Sequence, residues 1–485
     1  MHVRDRLFIG GEWVKPAGTA TIDVVSPSTL EPVGSAPDGT AADIDRAVAA
    51  ARAAFDSGPW PSMAPDERAD ALGQLHAALQ ARSDDVARLI TEENGCPITW
   101  STLAQGFAPT MILDYYVGLA RTFPFEELRQ GVLGQVLVRH EPLGVVAAIV
   151  PWNVPMFLTM AKLSPALAAG CSVVLKPSPE TPLDAYLLAE AIEEAGLPKG
   201  LVNIVPAGRD VSEYLVTHPG VDKISFTGSS LTGKRIAALC GERLRRYSLE
   251  LGGKSAAVLL DDVNLDEAIP ELLPSALMLS GQACIAQTRI LAPADRYQEV
   301  VDALCDNVAA MKMGDPLDAA TELGPLVAER QRDRVEGFIA SGQDEGAKVV
   351  LGGGRPSGLD KGWYVEPTIF VNVDNKMKIA QEEIFGPVLS VIPYRDTDDA
   401  VAIANDSNYG LSGTVWTSDI DRGLDVARRV RTGTYTINGF TIDIGTPFGG
   451  YKESGVGREF GPDGLELFFE KKAINLPAGY TPNRT

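Results

Sequence analysis

Apolar and polar positions alternate regularly between residues 144 and 240. Short, continuously apolar runs, of the kind that parallel sheets bury on both faces, are separated by longer segments with helical periodicity. The apolar runs are 144–150, 171–176, 201–205 and 223–226, and the helical segments are 154–169, 183–195 and 231–240. Strands and helices that alternate at this spacing predict an α/β class fold with a doubly wound, Rossmann-like dinucleotide-binding domain.

A second set of alternating elements begins near Lys254 and predicts another α/β domain. Its candidate strands are 255–260 and 289–291, and its candidate helices are 265–279, 297–311 and 327–341. Between residues 41 and 121 the chain reads instead as Ala-rich helices, with proline and acidic residues in the first turns. Such helices favour a role as covers packed on a sheet.

Residues 131–140 interrupt this pattern as an extended segment. An exposed strand edge there would invite pairing with another subunit, and residues 473–476 form a second candidate edge strand. We therefore predict three parts. They are a dinucleotide-binding domain (1–122 and 143–252), a catalytic α/β domain (253–450) and a small β oligomerisation element (123–142 and 451–485).

The composition is that of a globular enzyme and excludes several classes of function. The chain has 485 residues, 45% hydrophobic and 22% charged, which is enough for two or three domains. A formal net charge of −21 argues against nucleic-acid binding. Apolar runs are too short for a signal peptide or a membrane span, so we expect a cytoplasmic protein without a membrane partner. The five scattered cysteines lack metal-site spacing and indicate a reducing compartment, and we expect no metal.

Polar residues follow three of the predicted strands at the edge where α/β sheets bind ligands. The first strand is followed by Trp152 and Asn153, the second ends in Lys176 with Ser178 beyond it, and the fourth is followed by Gly228 and Ser229. Glycine and serine at a helix N-terminus leave N–H groups free for a phosphate, although a plain strand-to-helix turn has the same sequence. A lysine leaving an apolar strand needs an anion, a hydroxyl or water, and on its own is typical of a surface charge.

Two further segments contain candidate catalytic groups. Glu250 precedes Gly252-Gly253, and Cys284 follows Gly281-Gln-Ala. A cysteine thiolate is a strong nucleophile, and a carboxylate can take a proton from the water that hydrolyses a thioester. Taken singly, such a cysteine is more often a small buried residue and such a glutamate a surface charge. Because Glu250 stands between apolar residues and glycines, we expect burial to raise its pKa.

Taken together, these segments closely resemble the motifs of the aldehyde dehydrogenase superfamily. The matching segments, in chain order, are Pro151-Trp-Asn153, Lys176-Pro-Ser178, Phe226-Thr-Gly-Ser229, Glu250-Leu-Gly-Gly253, Gly281-Gln-Ala-Cys284, Glu382-Glu-Ile-Phe-Gly-Pro387, Asn438 and Pro447-Phe-Gly-Gly-Tyr-Lys452. The resemblance runs from the Gly-Gly-Glu-Trp near residue 10 to the tail. It implies oxidation of a small-molecule aldehyde to a carboxylic acid with NAD(P)+ through a cysteine thiohemiacetal and thioester.

The resemblance also implies a role for each catalytic residue. Cys284 attacks the aldehyde, while the amide of Asn153 and the Cys284 backbone N–H stabilise the oxyanion. Glu250 activates the water that releases the acid. Lys162 is expected near the catalytic centre.

For the cofactor, the resemblance places Lys176 on the adenine-side ribose and Glu383 on the nicotinamide ribose. The remaining expected cofactor contacts are Trp152, Ser178, Gly228, Ser229, Gly252 and Phe385. Where many NAD-preferring members have a glutamate three residues after the ribose lysine, this chain has Pro179, with Glu180 one position later. No arginine lies in 176–183 to hold an extra phosphate, although Arg209 and Lys234 could approach from elsewhere, so we expect NAD+ to be preferred, with measurable use of NADP+.

Apolar residues surround the expected aldehyde site and favour an apolar, roomy tunnel. They are Val154, Phe157, Leu158, Ala161, Ala283 and Ile285. We see no arginine placed to bind a substrate carboxylate, which argues against an acidic semialdehyde. Membership of the superfamily implies a homodimer or a homotetramer.

Three other functions compete with this interpretation. An acylating enzyme would pass the thioester to coenzyme A, and the presence of Glu250 favours water instead. A catalytically silent binding or structural member is disfavoured by the intact Cys284, Asn153 and Glu250. A cysteine hydrolase without a redox cofactor would need a histidine partner, and none of the four histidines lies in these motifs.

Overall fold

The computed structural model describes residues 1–477 and Tyr480. The strands of this part are, in chain order, β1 (His2–Val3), β2 (Leu7–Ile9), β3 (Glu12–Val14), β4 (Thr21–Val25), β5 (Pro32–Pro37), β6 (Glu126–Gln130), β7 (Gln135–Pro142), β8 (Val145–Ile149), β9 (Ser172–Lys176), β10 (Val202–Ile204), β11 (Lys223–Thr227), β12 (Arg246–Glu250), β13 (Ala256–Leu259), β14 (Arg289–Pro293), β15 (Lys348–Leu351), β16 (Thr368–Val371), β17 (Val388–Tyr394), β18 (Gly413–Trp416), β19 (Thr436–Ile437), β20 (Gly455–Val456) and β21 (Phe469–Asn475).

The α-helices of the same part are α1 (Ala41–Asp56), α2 (Pro65–Gln80), α3 (Ser83–Asn94), α4 (Ile98–Ser101), α5 (Ala108–Thr122), α6 (Pro155–Ala169), α7 (Asp184–Glu194), α8 (Arg209–Thr217), α9 (Ser230–Gly241), α10 (Leu265–Ala276), α11 (Tyr297–Ala310), α12 (Glu329–Asp344), α13 (Lys378–Gln381), α14 (Thr397–Asn405), α15 (Ile420–Arg429) and α16 (Gly461–Glu466). No helix in the described ranges is both long and apolar enough to cross a membrane.

The first large sheet is the predicted doubly wound α/β unit. Its strand order is β20-β12-β11-β8-β9-β10-β2-β3, and the strands from β12 to β10 run parallel. Every residue of β8, β9 and β11 is buried, as expected for strands covered by helices on both faces. The predicted α/β fold class is confirmed, and the strand and helix bounds agree with the prediction to within a few residues.

Helix α6 connects β8 to β9 and lies almost entirely inside the protein. Proline stands at its first position, where no N–H is needed, and Gly170 ends it in the left-handed conformation at φ 100°. Because the helix follows the carboxyl end of β8 directly, its first turns lie beside the ligand-binding edge of the sheet.

The second large sheet has the order β15-β16-β17-β14-β13-β18-β19. The strands from β16 to β19 run parallel, and β15 is an antiparallel edge. The guanidinium of Arg289 on β14 is fully buried and donates to the carbonyls of Lys254, Ile403 and Ala404 at 2.9–3.0 Å. The start of β13 is thereby tied to the end of α14.

A small antiparallel sheet has the order β21-β7-β6. The prediction that 131–140 offers a free edge is wrong, because β7 pairs with β6 on one side and with β21 on the other. The edges belong to β6 and to β21, which contains most of the predicted 473–476 strand. Residues 478–479 and 481–485 of the predicted element lie outside the described residues.

The C-terminal segment divides between two sheets. Strand β20 pairs with β12, so the chain returns to the first sheet after the second is complete. Only beyond α16 does it leave to form β21 against β7. Residues 451–460 therefore lie beside the end of β12, where Glu250 stands.

Candidate active site

Cys284 lies on a loop that is fixed by backbone geometry. Gly281 has φ 75°, and a Cβ there would stand 2.0 Å from the carbonyl oxygen of Gly386, so only glycine fits. The buried side chain of Gln282 accepts a hydrogen bond from the N–H of Val327 at 3.0 Å. Cys284, two residues later, is half-buried.

Asn153 lies directly beside this loop. Its Nδ2 donates to the carbonyl of Gln282 at 3.0 Å, two residues before Cys284. The Asn153 carbonyl in turn accepts from Nδ2 of Asn94 at 3.0 Å, which fixes the end of β8. Because an amide NH2 has two donors, one N–H of Asn153 is left for a ligand beside the cysteine.

Glu250 ends β12 as a buried carboxyl group whose two oxygens have no hydrogen-bond partner among the residues that the structure describes. Burial raises its pKa well above the usual range, and the charge of Glu459 raises it further, while Lys162 and Arg458 oppose the shift. The expected effect of burial on this pKa is confirmed. A Cβ at Gly449 would stand 2.7 Å from Glu250 Oε1, so a glycine there leaves the carboxyl its space.

Lys162 and Glu459 form a buried ion pair next to Glu250. Lys162 Nζ also donates to Thr227 Oγ1 at 2.6 Å, at the end of β11. The expectation for Lys162 named no partner, and Glu459 was missed. Since Glu459 is 297 positions away along the chain, no local pattern links the two residues.

The thiol of Cys284 has a raised pKa. Burial is the main cause, and the negative charges of Glu383 and Glu250 add to it. The protein alone therefore keeps the sulfur protonated near neutral pH. Nucleophilic attack requires that this proton is taken up as the aldehyde reacts.

Glu383 and Phe385 form the wall opposite Trp152. Glu383 Oε1 accepts from the N–H of Gly253 at 2.9 Å, and burial raises the pKa of Glu383 to about 7. A Cβ at Gly252 would stand 2.6 Å from Glu383 Oε2, so glycine allows this close approach. The rings of Phe385 and Trp152 meet edge to face at 5.3 Å.

Two residues that hold this wall were not predicted from the sequence. Arg334 donates to the carbonyl of Glu383 at 2.6 Å, and Gln331 donates to the carbonyl of Phe385 at 2.7 Å. Both lie on α12, which the sequence identified only as a helix. Their spacing on one face of a helix would identify them from the sequence only if the position of this wall were already known.

A cavity of about 540 Å³ joins the predicted residues from both large sheets. Those on its wall are Trp152, Asn153, Gly228, Ser229, Gly252, Cys284, Glu383 and Phe385. Glu250 and Lys162 do not line this cavity. Its volume suits a large organic ligand, and its two faces come from different domains of the prediction.

The turn after β11 provides part of the predicted phosphate site. Ser229 caps α9 by accepting from the N–H of Thr232 at 3.3 Å. The N–H of Gly228, however, donates to the Glu250 carbonyl at 3.0 Å and is not free. The remaining donors at this point are therefore the N–H groups of Ser230 and Leu231 at the start of α9.

Lys176 is the last residue of β9 and Ser178 lies just beyond it, and neither lines the large cavity. Burial lowers the pKa of Lys176 to about 8, with the charge of Glu180 opposing. The Ser178 hydroxyl donates to the carboxylate of Glu180. Glu180 is therefore held near Ser178, with its charge acting on Lys176.

A second cavity of about 280 Å³, between α8 and α9, was also missed. Its lining is largely apolar and includes Ile149, Val216, Phe226, Leu231 and Ile236. Leu231 lines the large cavity as well, so the two spaces are neighbours. A flat apolar ring would fit the smaller one.

Comparison with known proteins matches residues 13–474 to the family model described as "Aldehyde dehydrogenase family". Geranial dehydrogenase of Castellaniella defragrans is 49% identical over 97% of this chain and 98% of its own. A crystal structure of a Mycobacterium tuberculosis aldehyde dehydrogenase complexed with NAD+ has a TM-score of 0.98 at 51% identity, covering 99% of both chains. A Pseudomonas syringae aldehyde dehydrogenase C variant, solved with NAD+ and octanal, has a TM-score of 0.95 at 40% identity, covering 99% of this chain and 98% of its own.

Proposed function

The chain belongs to the aldehyde dehydrogenase family, and from this premise we propose that it oxidises a largely apolar aldehyde with NAD+. Oxidation of an aldehyde to a carboxylic acid through a cysteine thioester is the reaction of this family. One observation carries the assignment of the site. Cys284 and Asn153 line one cavity, and the partnerless carboxyl group of Glu250 is buried close enough to raise the pKa of Cys284.

The residues around the two cavities fit a dinucleotide. Ser229 and the first turn of α9 would hold the phosphates, and Glu383 the nicotinamide-side ribose. Lys176 would bind the adenine-side ribose, and the apolar space between α8 and α9 would take the adenine. When bound, NAD+ accepts the hydride of the aldehyde carbon, and a thioester is left on Cys284.

The protein's own groups carry out the attack. The thiol of Cys284 releases its proton to solvent water, the sulfur adds to the aldehyde carbon, and the carbonyl oxygen becomes an oxyanion. The second N–H of the Asn153 amide and the backbone N–H of Cys284 would donate to that oxygen. Because both donors are fixed before substrate arrives, little reorganisation is needed as charge develops.

Release of the acid depends on Glu250. Its carboxylate takes a proton from the water that attacks the thioester, and a raised pKa makes it a stronger base once it is ionised. The charges of the Lys162–Glu459 ion pair act on the Glu250 carboxyl group beside it. Lys162 is therefore a positioning residue in this proposal, not a group that touches the substrate.

Two rival functions are less well supported by the same observations. Transfer of the acyl group to coenzyme A would have no use for a buried, partnerless Glu250 near the cysteine. A silent binding protein would have no reason to keep Asn153 bonded to the cysteine loop and Gly449 open beside Glu250.

Apolar side chains around Cys284 support an apolar substrate. Val154, Phe157, Phe440 and Ile442 are partly buried in the same apolar cluster as the cysteine. One of the similar proteins is named geranial dehydrogenase, and another was solved in complex with octanal. We therefore propose a terpenoid or medium-chain aliphatic aldehyde.

A panel of aldehydes tests this substrate class. We expect kcat/KM for geranial and octanal to exceed that for succinic semialdehyde by at least about tenfold, a difference of about 1.4 kcal/mol. The reason is that an apolar tunnel cannot hydrate or pair the carboxylate of succinic semialdehyde. Acetaldehyde serves as the control for size, and a preference for the acidic aldehyde would contradict the proposal.

We also propose a cytoplasmic homodimer or homotetramer, with the sheet β21-β7-β6 as the oligomerisation element. Strands β6 and β21 have one unpaired edge each within the described residues. The turn between β6 and β7 carries Val132 and Leu133, both fully exposed. A second copy of this chain is the occupant that would cover them. The three-part division of the chain is retained as part of this proposal, except that β20 is counted with the first large sheet, because it pairs with β12.

Light scattering on the intact protein should then give a dimer or a tetramer. The double change Val132→Ser with Leu133→Ser should lower the average mass, because it removes apolar contact between copies. Ile420→Ser, at an exposed isoleucine on α15, is the matched control and should leave the mass unchanged. A stable, fully active monomer for the unaltered chain would contradict the oligomer.

A further inference from the structure

Arg330 and Glu180 form an ion pair between the two large α/β units. Glu180 lies beyond β9, on the segment that follows Lys176, and Arg330 lies in the first turn of α12. The guanidinium of Arg330 donates to Glu180 Oε1, while the Ser178 hydroxyl donates to Oε2. Both oxygens of this carboxylate are therefore already engaged.

The pair lies at the mouth of the proposed cofactor cleft. Arg330 lines the same cavity as Cys284 and Ser229, and its side chain is 60% exposed, against 21% for Glu180. Glu180 also acts on the charge of Lys176, the proposed ligand of the adenine-side ribose. The arginine is thus the more exposed partner, next to the residue proposed to bind the ribose at which NAD+ and NADP+ differ.

We propose that the Arg330–Glu180 pair sets the discrimination between NAD+ and NADP+, with Arg330 as the residue that admits NADP+. This inference rests on the proposed function, because it takes Lys176 as the ligand of the adenine-side ribose. Residues 176–183 contain no arginine that could hold a phosphate. The fold brings Arg330 to this segment from 150 positions away.

The charges of Glu180 and Arg330 act on the two cofactors differently. A lone carboxylate beside the ribose accepts a hydrogen bond from the 2′-hydroxyl of NAD+ and repels the 2′-phosphate of NADP+. Arg330 neutralises that carboxylate and so removes most of the repulsion. Its planar fork of donors can also turn from Glu180 to the phosphate, because guanidinium matches both groups.

Binding of both cofactors to the full chain tests the proposal by titration calorimetry, without turnover. Arg330→Gln should weaken the binding of NADP+ by about tenfold or more, since the charge of Glu180 is then uncompensated. The same variant should change the affinity for NAD+ by less than about threefold. Glu180→Gln should strengthen NADP+, because the repulsion is gone and Arg330 is free. 2′,5′-ADP and 5′-ADP should follow NADP+ and NAD+ in the same variants.

Arg355→Gln is the matched control, because Arg355 also forms an exposed ion pair with a glutamate, Glu336, away from both cavities. It should leave both affinities unchanged. Equal losses of NAD+ and NADP+ in Arg330→Gln, or an equal effect of the control, would overturn the proposal. Lys176→Met distinguishes a failure of the proposed cofactor site from a failure of this inference. If Lys176→Met leaves NAD+ binding intact, the proposed ribose site itself is wrong. If Lys176→Met loses NAD+ binding but Arg330→Gln does not discriminate between the two cofactors, only this inference is wrong.

Discussion

Replacing Cys284 by serine should abolish dehydrogenase turnover while leaving NAD+ binding nearly intact. A serine hydroxyl is a far weaker nucleophile than a thiolate, and loss of a nucleophile costs on the order of 10³-fold or more in kcat. The change is nearly isosteric, so the loop fixed by Gly281 and Gln282 should keep its shape. Steady-state kinetics and cofactor titration on the same preparation measure the two effects.

Cys305→Ser is the control for this experiment, because Cys305 is the other half-buried cysteine. Cys305 does not line the cavity that contains Cys284, so no catalytic role is expected for it. Trapping the acyl intermediate and mapping the labelled peptide identifies the nucleophile directly. A label on Cys305 or Cys240, or full activity in Cys284→Ser, would remove Cys284 from the mechanism.

The parts of the fold that the sequence predicts well are those whose burial is complete. Strands β8 and β9 are apolar at almost every position because helices cover both faces of their sheet, and such runs are visible without any partner. Segment 131–140 was different. The extended character of this segment could be recognised from the sequence. Its place in the middle of a sheet could not be recognised, because its second partner, β21, lies more than 300 residues away.

The candidate site shows the same division. Asn153, Glu250 and Cys284 stand in contiguous motifs, each beside glycines or a strand end, and the structure brings all three to one region. Glu459, Arg334 and Arg330 act through contacts that depend on long-range folding. Nothing in the few residues around each of them distinguishes it from a surface charge.

Asn438 is a case in which a matching motif residue has a structural role. Its side chain exchanges two hydrogen bonds with the backbone of Thr417, at 2.7 and 2.8 Å, and it adopts φ 52°. Asparagine tolerates this left-handed conformation better than most residues. A sequence match alone does not separate such a role from one in catalysis.

Replacing Glu250 by glutamine should preserve a burst of about one NADH per active subunit and slow the steady state by about 10²-fold or more. Glutamine keeps the size of the side chain but cannot take a proton from water, so the thioester should accumulate. Since the pKa of Glu250 is raised, the wild-type rate of acid release should increase with pH as the carboxyl ionises. Stopped-flow absorbance over a pH series follows both phases, and the variant should lose that pH dependence.

Glu459→Gln provides the comparison that separates the base from its surroundings. The charge of Glu459 raises the pKa of Glu250, so its removal should lower that pKa and move the rise in acid release to lower pH. Freeing Lys162 from its ion pair acts in the same direction, because a nearby cation favours the ionised carboxylate. If the burst disappears in Glu250→Gln, Glu250 is assigned to the deprotonation of Cys284 instead. If acid release in Glu250→Gln keeps the wild-type dependence on pH, Glu250 is excluded as the base.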